Sequence, residues 1–180
     1  LFPLPSGHDG VSHISVLRDL HPHSYAAATA FVEPMDYLTA RLTDRVTATQ
    51  STMFSQLVCD NSRWGLTEYD DDLVAATKLD PAKLPPLVPM GEVVGEIAAT
   101  AAAELGVPSG VPVLTGTIDS ITSAVGTGAV DAQRCGVVVG TTSVMVTHIG
   151  EQRNDLLSSL LTVPSPLPGR WYVMAENGLG

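Results

Sequence analysis

The stretch "RCGVVVGTTSVMVTHIG", residues 134–150, limits the choice of fold more than any other part of the chain. Two β-rich runs flank Gly140, Thr141, Thr142 and Ser143, and that pattern predicts a hairpin. Downstream, "LLSSLLTVPS" and "RWYVMAEN" read as two further strands around the turn-forming "SPLPGR". The end of the chain is therefore mostly extended. Upstream the character is helical, and "GVPVLTG" followed by "DSITSAV" makes a strand, turn and helix just before the change. The fold class is α/β. A domain join is expected at "GTGAVDAQ", dividing the chain into residues 1–128 and 129–180.

Within the helical part, the first 20 residues read as a loop leading into a short element, and "HPHSYAAATAF" as a helix. Another helix is expected from "EPMDYLTARL", because Pro34 costs little at a first helical position. Met35, Leu38 and Leu42 recur at spacings of three and four and predict a core-facing stripe. "TQSTMFSQLV" and "YDDDLVAATKL" are short helical segments, with Asp70, Asp71 and Asp72 as a solvated helix start. Asp80-Pro81 reads as one more start, and "LPPLVPMG" must be extended because each proline restricts the residue before it. "EVVGEIAATAAAELG" is expected to end in a long Ala-rich helix stopped by Gly106.

The balance of 19 acidic against 9 basic side chains, a formal charge of -10, disfavours nucleic acid or an anionic membrane as partner. A recognised phosphate would need backbone N–H groups or a cation. Cys59 and Cys135 have no metal-like spacing and fit a reducing compartment. No segment carries 18 uninterrupted apolar residues, and the start lacks a signal peptide, so a cytoplasmic protein is expected. The ends, "LFPLPSGHDG" and "WYVMAENGLG", fit a piece of a larger enzyme.

Asp119 is the first candidate for chemistry. As a helix N-cap its carboxylate would accept the N–H of Thr122 or Ser123, worth about 1 kcal/mol. It equally fits a general base or metal-binding carboxylate at the end of a strand, where open α/β sheets place ligands. The hairpin residues Gly140 to Ser143 are the second candidate: a β- or γ-phosphate fits against such a nest, and an ordinary loop fits the same residues. There is no GxxxxGK[ST], so this is not a P-loop. His8, His13, His21 and His23 lack zinc spacing, and no residue is assigned to a metal. His148 is expected at the surface or the edge of the core. Met53, Trp64 and Trp171 are expected to fill core.

"EPMDYLTARLT", "ATQSTM" followed by "RWG", "LPPLVPMGEVVGEI", and "AAAELGVPSGVPVLTGTIDSITSAVGTG" followed by "CGVVVGTTSVM" occur in an order that resembles the FGGY carbohydrate kinases, nearest the xylulokinase-like group. The resemblance runs from about Val11 to Gly180. It implies part of an actin-like, ribonuclease H-like ATPase fold: the end of a sugar-binding N-terminal domain and the opening strands of an ATP-binding C-terminal domain. It implies ATP and Mg2+ as cofactors and a small sugar as substrate, a ketopentose such as xylulose or another polyol. A homodimer and a non-catalytic sugar-binding relative remain open alternatives. Asp119 matches the catalytic aspartate, Gly140, Thr141, Thr142 and Ser143 the segment approaching the ATP phosphates, and Ile118 the lining of the sugar pocket. After "RLT" the family carries glycine where this chain has Asp44, which tolerates the same left-handed turn. The family's magnesium aspartate and adenosine-binding glycines are expected outside these 180 residues, so the piece alone is expected to be inactive and to expose apolar edges.

Overall fold

The computed structural model describes residues 9–139, 142–155 and 160–178. The chain forms two compact units, Leu1–Asp60 with Leu66–Gly116, and Asn61–Gly65 with Thr117–Gly180.

The first unit begins with a helix, α1 (Gly10–Leu20), where a loop was expected. Asp9 caps it by accepting the Ser12 N–H at 3.0 Å, and its first turn buries Val11 and Ile14. A Cβ at Gly10 would lie 2.1 Å from the Gln56 Nε2, so any larger residue there would displace the Gln56 side chain. Helix α2 (Pro22–Ala27) and α3 (Pro34–Thr43) both start on proline as expected. Asp44 ends α3 with φ of 56°, the left-handed conformation read from the sequence.

The stripe on α3 is corrected. Leu38 is 61% exposed, and the residues that face inward are Asp36, Thr39 and Thr43. Met35 and Leu42 are half-buried, so the expected stripe fails at Leu38, and Asp36 takes a hydrogen bond from Thr52. Thr39 and Thr43 satisfy their hydroxyls on α3's own carbonyls, at Asp36 and Thr39.

A 3₁₀ helix, Thr52–Gln56, and α4 (Asp71–Thr77) follow, the latter capped by Asp70, which accepts the Leu73 N–H at 2.9 Å. The apolar core of this unit gathers Val11, Ile14, Ala48, Met53, Val58, Cys59, Val74 and Leu79. Strands β1 (Val93–Glu96) and β2 (Pro112–Leu114) pair antiparallel. The helix between them, α5 (Ala99–Leu105), has seven residues and is shorter than expected, because the β-branched "VV" before it joins the ladder. Gly106 ends it with φ of 68°.

The second unit holds α6 (Asp119–Gly126) and four strands: β3 (Gly136–Val139), β4 (Thr142–Ile149), β5 (Leu160–Pro164) and β6 (Trp171–Gly178). They form one antiparallel sheet in the order β3-β4-β6-β5. Val139 pairs with Ser143, so β3 and β4 make the expected hairpin. Residues alternate between faces: Val144, Val146 and His148 of β4 share one, against which α6 packs, burying Ile121 and Ala124. The compact unit so formed starts at Thr117. Strand β3 is an edge, and its Val137, Val138 and Val139 are all exposed.

The two tryptophans are half-buried, and each anchors a backbone carbonyl. Trp64 donates to the Ser165 carbonyl at 2.9 Å, and Trp171 to that of Asn61 at 3.2 Å. Among the described residues no helix is long and apolar enough to cross a membrane.

Candidate active site

Asp119 stands at the first helical position of α6, one residue beyond the expected cap. Ile118 occupies the cap, with φ of -69° and ψ of 150°, and its carbonyl accepts the N–H groups of Ile121 and Thr122. No side chain caps this helix. The Asp119 Oδ1 accepts the adjacent Ser120 N–H at 2.7 Å, and the Thr122 hydroxyl donates to the Asp119 carbonyl at 2.7 Å. The N-cap reading therefore fails: the N–H of Thr122 is already taken by Ile118. What remains is an exposed carboxylate with one oxygen oriented by the backbone, and among the described residues no donor reaches Oδ2. A negative charge there also gains from the helix dipole.

The carboxylate borders a cavity of about 250 Å³ within this unit. Asp119, Ser120 and Ser123 form one side, and Val138, Val144 and Val146 of the sheet form the other. Val138 and Val144 are cross-strand partners in the β3–β4 hairpin. A helix end bearing an acid and two hydroxyls thus faces an apolar wall, a combination that orients a polar ligand in a partly dry space.

The remaining sequence candidates are distributed as follows. Ile118 is half-buried and shapes the helix start without lining the cavity. Gly140 and Thr141 lie outside the described residues, and Thr142 pairs with Gly178 as the first residue of β4. Ser143 pairs with Val139 and Asn177, and strand alternation turns its side chain to the face opposite Val144. Ser120 and Ser123 share the cavity with Asp119 and were missed by the sequence reading. Their spacing on α6 was visible, but the wall opposite is set by sheet register.

The most perturbed carboxyl is a different one. Asp36, in the first turn of α3, is 2% exposed, and burial pushes its carboxyl up to about 7 against hydrogen bonds from Thr52 and the Glu33 backbone. Nearby Glu33 raises it further, and Oδ2 lacks a partner. Perturbation of this kind marks functional sites only when the group opens on a cleft. Asp36 lines neither the cavity at Asp119 nor the one bordered by Thr29 and Val46. His148, expected at the surface or the edge of the core, is fully buried.

Residues 5–126 match the family model described as "FGGY family of carbohydrate kinases, N-terminal domain". Among curated proteins, a probable L-xylulose kinase of Haemophilus influenzae is 30% identical over 142 residues, covering 77% of this chain and 29% of that protein. A xylulose kinase of Streptomyces coelicolor is 34% identical over 129 residues, covering 69% of this chain and 25% of that protein. The crystal structure of a xyloylose kinase from Brucella ovis superimposes with a TM-score of 0.78 at 27% identity, covering 91% of this chain and 33% of that one. The chain thus spans between a quarter and a third of the length of these relatives.

Proposed function

The chain belongs to the FGGY family of carbohydrate kinases, with an α/β fold of the actin-like ATPase kind, and from that premise we propose that the protein transfers the γ-phosphoryl of ATP to a hydroxyl of a ketopentose such as xylulose. Asp119 is the general base. The observation that carries this reading is the shared cavity: an exposed carboxylate with a free oxygen faces the flanks of the hairpin that matches the family's phosphate segment.

The chemistry follows from those parts. Asp119 accepts the proton of the sugar hydroxyl as that oxygen forms a bond to the γ-phosphorus, and the bond from phosphorus to the β-phosphate bridging oxygen breaks to release ADP. The Ser120 N–H fixes one carboxylate oxygen, which leaves the other for the substrate. Residues Gly140, Thr141, Thr142 and Ser143 approach the phosphates. Among the described residues no three His, Cys, Asp or Glu side chains gather as a metal site. Names of relatives that differ between L-xylulose and xylulose support a ketopentose over a narrower choice. Another polyol or sugar, such as gluconate, ribulose or glycerol, is the alternative.

The test is ATP consumption by the full-length protein across a sugar panel, with Asp119→Asn alongside. A loss of about 10²-fold or more in turnover, with sugar binding retained, supports the base role. Unchanged turnover removes it.

A further inference from the structure

The mechanism above leaves unused one buried titratable group, His148 near the C-terminal end of β4, where it touches three separate parts of the second unit. Its Nδ1 lies 2.7 Å from the Ala129 carbonyl and its Nε2 3.0 Å from the Ser165 Oγ. The ring meets Tyr172 of β6 edge-on at 5.8 Å between centroids. A carbonyl can only accept, so Nδ1 carries the proton, and Nε2 accepts from the Ser165 hydroxyl. Ser165 in turn accepts the Leu167 N–H at 3.2 Å and holds the β5–β6 turn.

Ala129 lies three residues beyond the end of α6: its N–H reaches back to the Ala124 carbonyl at 2.9 Å, fastening the helix exit, and it is fully buried. The hydrogen bond from His148 therefore ties the exit of the helix that begins with Asp119 to the strand that begins with the hairpin. Its neighbour Thr147 does the same for the connection that follows, donating to the carbonyls of Asp131 or Arg134.

We propose that His148 is a positioning residue for phosphoryl transfer, its neutral Nδ1–H clamping the end of α6 to β4 and so setting where Asp119 stands against the β3–β4 hairpin. This rests on the kinase reading of Asp119. The clamp works only while the ring is uncharged. Burial lowers the imidazole's affinity for a proton, and the charged group facing it, Arg170 of the β5–β6 turn, lowers it further, while the Ala129 carbonyl opposes them. Tyr172 is the other titratable side chain against the ring.

The experiment has one arm that does not depend on turnover. In protein labelled with 15N-histidine, His148 is expected to show the Nδ1–H tautomer at pH 7.5 and to resist protonation below its ordinary range; an Nε2–H tautomer or an imidazolium overturns the proposal. His148→Asn keeps a donor toward Ala129, whereas His148→Leu removes it. For Leu, faster amide exchange at residues 127–129 and a kcat lowered about tenfold at unchanged sugar KM are expected, with Asn restoring both to within about threefold. Leu with wild-type exchange and kcat, or Asn as damaged as Leu, overturns the clamp. If Leu does not fold, the tautomer and the Asn variant decide. A protein that phosphorylates no sugar refutes the kinase reading, while the tautomer and exchange results still judge His148.

Discussion

Two aspartates sit in the first turns of two helices and have opposite fates. Asp36 of α3, in the first unit, is sealed from water, whereas Asp119 of α6, in the second, stands exposed on a cavity. The difference comes from what each helix packs against. At α3, burial and the nearby Glu33 charge outweigh the hydrogen bonds from Thr52 and the Glu33 backbone. A carboxyl there is stable as the neutral acid. On α6 the apolar residues Ile121 and Ala124 occupy the inward positions, which leaves the acid outside. The lesson is that a shifted pKa identifies burial, and a reactive carboxylate is recognised by access to a ligand.

The sharpest way to break the comparison is to titrate the fold. Asp36 is held at about 7 in the folded state, against about 3.9 for a free carboxyl. The folded form binds the proton more tightly, so this stabilisation is full below about pH 4 and lost as pH rises through 7, on the order of 4 kcal/mol in all. Urea unfolding between pH 4 and 8 is expected to show that slope, and Asp36→Asn to flatten it. A slope that survives in the Asn variant would mean Asp36 does not titrate.

Asp119→Asn comes next. A turnover loss of about 10²-fold corresponds to roughly 2.7 kcal/mol of transition-state stabilisation. Because the side chain is exposed, the same variant is expected to leave the thermal unfolding midpoint nearly unmoved, with a stability change within about 0.5 kcal/mol. A variant that lost stability and kept turnover would exchange the roles of the two aspartates.

His148 gives a smaller effect of opposite sign to Asp36. Its folded-state affinity for protons is lowered by burial, so its contribution is present above the unfolded value of about 6.5 and is lost as pH falls below it. Hydrogen exchange read separately in the two units is expected to show α3 gaining protection and α6 losing it on acidification. Movement in the same direction would refute the contrast. The smallest effect belongs to Leu38→Ser on the exposed face of α3, expected within about 0.5 kcal/mol in thermal unfolding. A loss of about 2 kcal/mol or more would restore the apolar stripe that the periodicity predicts.

Much of the fold was legible because short-range chemistry decides it. Pro34, Asp70, Asp80-Pro81, Asp44 and Gly106 punctuate the chain through constraints that act within a few residues, and the structure uses each of them as read. The antiparallel pairing of β3 with β4 was legible for the same reason. Helix α1 was hidden by a polar, glycine-bearing start, although Asp9 is a cap in plain view. The Leu38 stripe misled because periodicity records which residues share a face, and nothing local records which face meets a partner.

The candidate site divides along the same line. That an acid follows a strand and opens a small-residue helix is a property of neighbouring residues, so Asp119 could be named from the sequence. That Ser120, Ser123, Val138 and Val144 join it, that Ser143 turns away, and that His148 lies beneath the helix exit all depend on sheet register and helix docking. Those are set by pairings between residues far apart in the chain. Local propensity carries no information about them, because the free energy that selects one register is gained only when the distant partners meet.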